Sequence, residues 1–327
     1  MPPINKHPLN DLRIIFMGTP EFAVASLKKL VEAGCNIVGV ITVPDKAGGR
    51  GLHLQESEVK KYAVEKGLAV LQPVLLKAPE FLEQLRSFRA HLQIVVAFRM
   101  LPELVWNMPP LGTINLHGSI LPQYRGAAPI NWAIINGEKE TGLTTFKLQH
   151  EIDTGNILLA EKILIGEDET AGELHNRMKD AGAGLVLNTL QGIANGDLKE
   201  IPQDINSAVS KDPLGLKTAP KIFTTTCEIN WRKPAQEVYN LIRGLSPHPG
   251  AFTYLQNKMI KLFKVSKTGE CASTLNAGNY ETDHKTYLRF SCTDGYISIH
   301  ELQLQGKKKM KIEDFLRGFH FDLSETL

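Results

Sequence analysis

At 327 residues the chain is long enough for two domains, and its 43% hydrophobic and 22% charged residues exclude a disordered or fibrous protein. No apolar run approaches ~18 residues, so no membrane span is expected. Four scattered cysteines without a C-x-x-C and a polar, Pro-rich start favour a reducing, cytoplasmic setting over a disulfide framework or structural zinc. The formal net charge of +2 hides an asymmetry. Residues 1–210 carry 20 Lys and Arg against 23 Asp and Glu, and residues 211–327 carry 17 against 12. A polyanionic partner for the second half and ordinary solvated lysine faces explain that balance equally well.

In chain order, Leu12 to Met17 is an apolar run that ends at Gly18-Thr19-Pro20. Phe22, Ala25, Leu27, Leu30 and Val31 then recur at near-helical spacing, and Gly34 marks the stop. Cys35 to Thr42 reads as a second strand. This βαβ start predicts a Rossmann-like, doubly wound, mostly parallel α/β sheet. A dinucleotide site is excluded because Gly18 lacks the G-x-G-x-x-G companions that would cradle a phosphate. Pro44 to Gly51 is basic and glycine-rich, either a plain surface loop or a mobile arm that grips phosphate. Helices are expected over 58–66 and 79–86, with a strand at 68–71 between them. Leu92 to Phe98 has the β-branched run of a strand buried on both faces. Its exit, Arg99-Met100-Leu101-Pro102, lies on the same rim as the stretch 115–122, where Phe98, Met100 and Leu101 either line a pocket for a flat ligand or pack the core.

Thr113-Ile114-Asn115-Leu116-His117 reads as the next strand. Its period of two sends the Asn115 amide and His117 imidazole to one face, with Cα atoms roughly 6.6 Å apart. Ser119 to Pro122 leave the strand where open α/β sheets bind ligands, so the pair has the layout of an acyl-transfer site. A helix follows at 130–136, then strands at 142–148 and 157–160 joined by a turn that holds Asp153. The return predicts a mixed sheet, closed by a helix from Ala171 to about Gly192. Residues 202–220 have little periodicity and read as a linker. Beyond it, a helix at 235–243 and short strands at 258–265, 286–291 and 296–303 suggest a small OB-like β-barrel, with a basic run at 306–311 before a last helix. The expected domains are 1–204, a linker 205–222, and 223–327.

Asn115-x-His117-x-Ser119-Ile120-Leu121-Pro122, together with Asp153-Thr154-Gly155, resembles the signature of the folate-dependent formyltransferases. Arg125-Gly126-Ala127-Ala128-Pro129-Ile130, Phe16 to Phe22, Pro44 to Gly51, Ser246 to Ala251 and Gly306 to Met310 resemble the subgroup that acts on methionyl-tRNA. The matches run from about residue 12 to 318. Departures are Ile120 for the usual Leu and Arg99 where Gly is common.

The resemblance implies attack of the methionyl amine on the formyl carbon of 10-formyltetrahydrofolate, without a metal. Asn115 would donate to the oxygen that gains charge, and His117 would donate or shuttle a proton. Asp153 would orient His117 or accept the amine's proton; which of the two accepts first stays open. Ser119, Ile120, Leu121 and Pro122 would shape the folate site. The 44–60 loop, with Lys46 and Arg50, and the basic second domain would meet the tRNA. A monomer is the default. Two alternatives remain: a relative that formylates a small-molecule amine or hydrolyses the folate, and an RNA-binding module with an inactive α/β domain.

Overall fold

The structure, a computed structural model, describes residues 9–48, 53–203, 215–269 and 276–321. It divides into two compact units, one of Met1–Gly126, Gly142–Ile163 and His175–Thr218, the other of Ala127–Thr141, Leu164–Leu174 and Ala219–Leu327.

The first unit is built on β1 (Ile14–Gly18), α1 (Glu21–Glu32), β2 (Ile37–Ile41), β3 (Lys46–Gly48), β4 (His53–Gln55), α2 (Glu58–Glu65), β5 (Val70–Leu71), α3 (Pro79–Ser87), β6 (Leu92–Val96), α4 (Glu103–Trp106), β7 (Thr113–His117) and β8 (Arg125–Gly126). α5 (Pro129–Ile135), β9 (Glu140–Lys147), β10 (Ile157–Leu164) and α6 (Ala171–Asn195) follow. The main sheet has the order β10-β9-β7-β6-β1-β2-β5. β1 pairs in parallel with β2 and with β6, and β6 in parallel with β7. β9 runs antiparallel to β7, so the sheet is mixed as the hairpin-like return in the sequence suggested. The chain steps outward from β1 through β2 to β5, then returns to the other side of β1 at β6. That reversal makes the carboxyl ends of β1 and β6, next to the end of β7, the switch point at which sheets of this kind bind their ligands.

Every residue of β1 and β6 is buried, in keeping with their continuous apolar sequence. α3 covers one face through Phe81, Leu82 and Leu85, which cluster with Ile15, Met17 and Val95. Gly18 is required where β1 ends. A Cβ there would lie 2.6 Å from the Ala23 Cβ and 3.0 Å from the Val96 oxygen, so no side chain fits between the strand end and α1.

Of the Pro44–Gly51 stretch, expected as a loop or a mobile arm, Lys46–Gly48 forms β3 and pairs with β4, with Lys46 opposite Gln55 and Ala47 opposite Leu54; Gly49, Arg50 and Gly51 lie outside the described residues. Its root is fixed by Asp45, which binds Lys60 and accepts 2.7 Å from Gln72 Nε2. These bonds to Lys60 and Gln72 hold the Asp45 carboxyl below the usual carboxylate range. Ser57 caps α2 by accepting from Lys60 N at 3.1 Å, and its hydroxyl meets Thr42 Oγ1 at 2.7 Å.

After a short β11 (Thr218–Ala219), the second unit carries β12 (Ala251–Leu255), β13 (Lys258–Thr268), β14 (Tyr280–Thr282), β15 (Leu288–Ser291), β16 (Tyr296–Leu304) and β17 (Met310–Lys311). The order β12-β13-β16-β15-β14, with β17 on β16, is an OB-like antiparallel sheet. β12 is an additional strand that the sequence pattern did not separate from the preceding Pro-Gly turn. A core of Tyr239, Ile242, Leu262, Leu302 and Phe315 fills the concave side, with Trp231 stacked on Phe290 at 4.6 Å between centroids. Irregular register around Leu262, Lys264 and Val265 shifts the inward phase of β13 by one residue, which keeps Ile260, Leu262 and Val265 buried and leaves Lys258, Lys264 and Lys267 exposed.

Candidate active site

The candidate site lies within the first unit, at the carboxyl end of β7. In register, Asn115 stands between Val95 of β6 and Phe146 of β9, and His117 beside Thr144. His117 is 6% exposed, and its ring meets Phe146 edge-on at 6.5 Å. His117 Nε2 lies 2.8 Å from the Tyr124 carbonyl oxygen. A carbonyl only accepts, so Nε2 carries a hydrogen and Nδ1 is left for chemistry. Nδ1 faces Asp153 Oδ2 at 3.7 Å. The Asn115 side chain is half-buried and makes no hydrogen bond among the described residues, which makes it an uncommitted donor two residues before the imidazole on the same strand.

Ser119 to Pro122 form the turn beyond β7. Ser119 is fully buried, and its hydroxyl donates to Gln123 O at 2.6 Å. Thr144 Oγ1 donates to Ser119 O at 2.7 Å and accepts from Leu121 N at 3.1 Å. Leu121 is 4% exposed. Ser119 and Leu121 therefore shape the turn from inside, while Ile120 and Pro122 stay half-buried. Ile120 lies over Gly142, where a Cβ would fall 2.3 Å from its Cδ1. Of the neighbouring rim residues, Phe98 and Leu101 pack against the β1–β6 core and Met100 is exposed. Arg99 donates to Val74 O at 2.9 Å and also to Pro73 O, so it ties the 97–101 loop to the loop after β5. Its burial lowers its pKa.

Asp153 sits in the turn between β9 and β10 with φ of 55°, in the left-handed region. Oδ2 accepts from Gly126 N at 2.9 Å, so one carboxylate oxygen both meets the β8 backbone and faces His117. Gly155 closes the turn so tightly that a Cβ would lie 1.6 Å from Lys147 O. Gln203, which sequence reasoning did not single out, completes the surroundings together with the motif residue Arg125. Gln203 Nε2 donates to Asp153 O and Gly155 O at 2.9 and 2.8 Å, and its Oε1 accepts from Arg125. Burial pulls the Arg125 pKa down, against the opposing pull of the Asp153 and Glu151 carboxylates.

Lys46 is exposed on β3. Arg50 lies outside the described residues, as do residues 204–214, most of the expected linker. Among the described residues, no group of three or more His, Cys, Asp or Glu could hold a metal ion, and no helix is long and apolar enough to cross a membrane.

A doubly wound sheet with Asn, His and Asp gathered at one strand end, followed by an OB-like unit, defines a two-domain group-transfer protein. Residues 12–190 match the formyl transferase family and residues 221–320 the formyl transferase C-terminal domain. The chain belongs to the formyl transferase family. It is 51% identical to a methionyl-tRNA formyltransferase of Bacteroides fragilis over 95% of this chain and 96% of that protein. It is 52% identical to a methionyl-tRNA formyltransferase of Parabacteroides distasonis over 94% and 96%. The fold is also that of an N-formyltransferase from Helicobacter canadensis, solved with folinic acid and dTDP-3-aminofucose. That structure has a TM-score of 0.64 at 21% identity and covers 91% of this chain and all of its own (100%).

Proposed function

We propose that this chain transfers the formyl group of 10-formyltetrahydrofolate to the amine of methionyl-tRNA, with Asn115, His117 and Asp153 as the catalytic groups. The observation that carries the assignment of roles is the pair of basic atoms, His117 Nδ1 and Asp153 Oδ2, 3.7 Å apart beside the uncommitted Asn115 amide. Similarity to methionyl-tRNA formyltransferases along 94–95% of the chain, through both family domains, supports the choice of acceptor.

The residues present fit a folate co-substrate: an amide donor with no partner among the described residues, a buried imidazole, and half-buried apolar Ile120 and Pro122 in the turn beyond it. When bound, 10-formyltetrahydrofolate supplies an electrophilic formyl carbon and a leaving nitrogen that must take a proton. Asn115 donates its N–H to the formyl oxygen as negative charge develops there. The attacking amine must lose one proton as its bond to carbon forms. Nδ1 of His117 or Oδ2 of Asp153 takes it; on the imidazole the proton leaves a positive charge that the carboxylate holds across 3.7 Å, and on the carboxylate it leaves a neutral acid. The same pair can return a proton to the departing nitrogen, so the cycle needs no net acid or base. Tyr124 O keeps the ring from rotating, because it holds Nε2. Exposed lysines on β3 and β13, among them Lys46 and Lys264, suit phosphate contacts.

The test is a formyl-transfer assay with charged initiator tRNA. Transfer to methionyl-tRNA is expected. Transfer to a small amine or to water in its place would overturn the acceptor, and no turnover with any acceptor would leave a binding module.

A further inference from the structure

The segment Glu200–Gln203 crosses the β9–β10 turn and is fastened to it at successive positions. Ile201 and Ile157 exchange backbone hydrogen bonds of 2.8 and 2.9 Å. Glu200 pairs with Lys147 and accepts from Asn156 Nδ2 at 3.0 Å. Gln203 then turns its amide into the turn itself. Nε2 reaches Asp153 O at 2.9 Å and Gly155 O at 2.8 Å, while Oε1 accepts from Arg125 Nε at 3.1 Å and Nη2 at 2.5 Å. A primary amide has two N–H bonds and two acceptor lone pairs, and all four are used.

Asp153 needs such a clamp. Its backbone is left-handed, a conformation that a non-glycine residue keeps only when its surroundings over-determine it. Gly126 N fixes the carboxylate end and Gln203 fixes the backbone end. Arg125, adjacent to Gly126, is joined to the same amide, so the two ends are tied to each other.

We propose that Gln203 is a positioning residue for formyl transfer: it holds the Asp153 turn so that the carboxylate stays aimed at His117. This rests on the catalytic role assigned to Asp153 above. Glutamine is required in place of glutamate, because a carboxylate still pairs with Arg125 but has no N–H for the two carbonyls.

The test compares Gln203→Ala, Gln203→Glu and Asp153→Asn by steady-state formylation of methionyl-tRNA, with rates expressed per folded enzyme from a thermal melt of each preparation. Misaiming a reacting group by about 1 Å costs on the order of 100-fold. Both Gln203 variants should therefore lose about 10- to 100-fold in kcat, with KM for tRNA and for folate within about twofold of the parent. In Gln203→Glu the added negative charge should also move the acidic limb of the pH–kcat profile to higher pH, whereas in Gln203→Ala the limb should stay in place. Should Asp153→Asn be impaired while both Gln203 variants keep kcat within twofold per folded enzyme, the positioning role is overturned and the catalytic reading stands. A rise in KM at unchanged kcat would overturn it too. Full activity in Asp153→Asn would overturn the catalytic reading itself.

Discussion

The end of β7 and the outer face of β13 treat polarity in opposite ways. At β7, Ser119 and Thr144 are fully buried, His117 nearly so, and each is bound to a backbone group. Asn115 alone among these side chains is uncommitted. On β13, Lys258, Lys264 and Lys267 are exposed, and the contacts they make lie at the surface, such as Lys258 over the Phe319 ring at 4.9 Å and Lys267 over the Tyr239 ring at 5.0 Å. Chemistry at a carbonyl needs a donor whose direction is fixed before the reaction, in surroundings where a hydrogen bond is strong. Gripping a phosphate backbone needs charge that water has not been made to leave, spread over many weak contacts. The two regions should therefore answer substitution differently, in kcat at the first and in salt-dependent binding at the second.

The largest contrast is expected from Asn115→Ala. Removing one oxyanion donor should lower kcat by about 10²–10³ while methionyl-tRNA affinity holds, as read by single-turnover rates and filter binding. Thr144→Val sharpens the point that the rim is pre-built. It takes away the hydroxyl that joins Ser119 O to Leu121 N and should cost about 1–3 kcal/mol in chemical denaturation. A smaller effect belongs to the second unit, where Tyr239 donates to Asp168 at 2.6 Å. Burial, then the bond to Asp168, push the Tyr239 hydroxyl up to about 12. A tyrosine raised on folding gives its full stabilisation below its unfolded pKa of about 10 and loses it as pH climbs through the folded value. Stability should fall by about 1–2 kcal/mol more between pH 10 and 12 in the parent than in Tyr239→Phe, whose midpoint should be flatter there. Smallest of all, Lys264→Ala or Lys46→Ala should leave kcat unchanged, weaken tRNA binding a few-fold, and flatten the log–log salt slope by about 0.7–0.9 per lost contact. An unchanged slope would remove that lysine from the interface.

Legibility in the sequence followed the range of the interactions. β1 and β6 were readable because a strand buried on both faces writes an apolar run, and β7 because its residues alternate, so that Asn115 and His117 share a face through period two alone. Asp153 lies in a separate turn, and only the family signature linked it to His117. The β3–β4 ladder was hidden because Gly48, Gly49 and Gly51 carry little strand preference, and its anchor is a side-chain bond from Asp45 to Lys60. Ser119 to Pro122 were expected to shape the folate site, but the Thr144 hydroxyl that binds Ser119 O and Leu121 N to fix that turn left no mark in the sequence, because it comes from a different strand. Gln203 left no signal: a single polar residue at the head of an aperiodic stretch shows its role only once the turn it clamps is folded.

The most direct measurement is single-turnover transfer of labelled formyl from 10-formyltetrahydrofolate to methionyl-tRNA by the parent and by Asp153→Asn, with tRNA binding followed in parallel. The parent should label the tRNA, and Asp153→Asn should bind it equally well and transfer at least about 100-fold more slowly. Label that stays off the tRNA with the parent, or transfer by Asp153→Asn within a few-fold of the parent rate, would contradict the account.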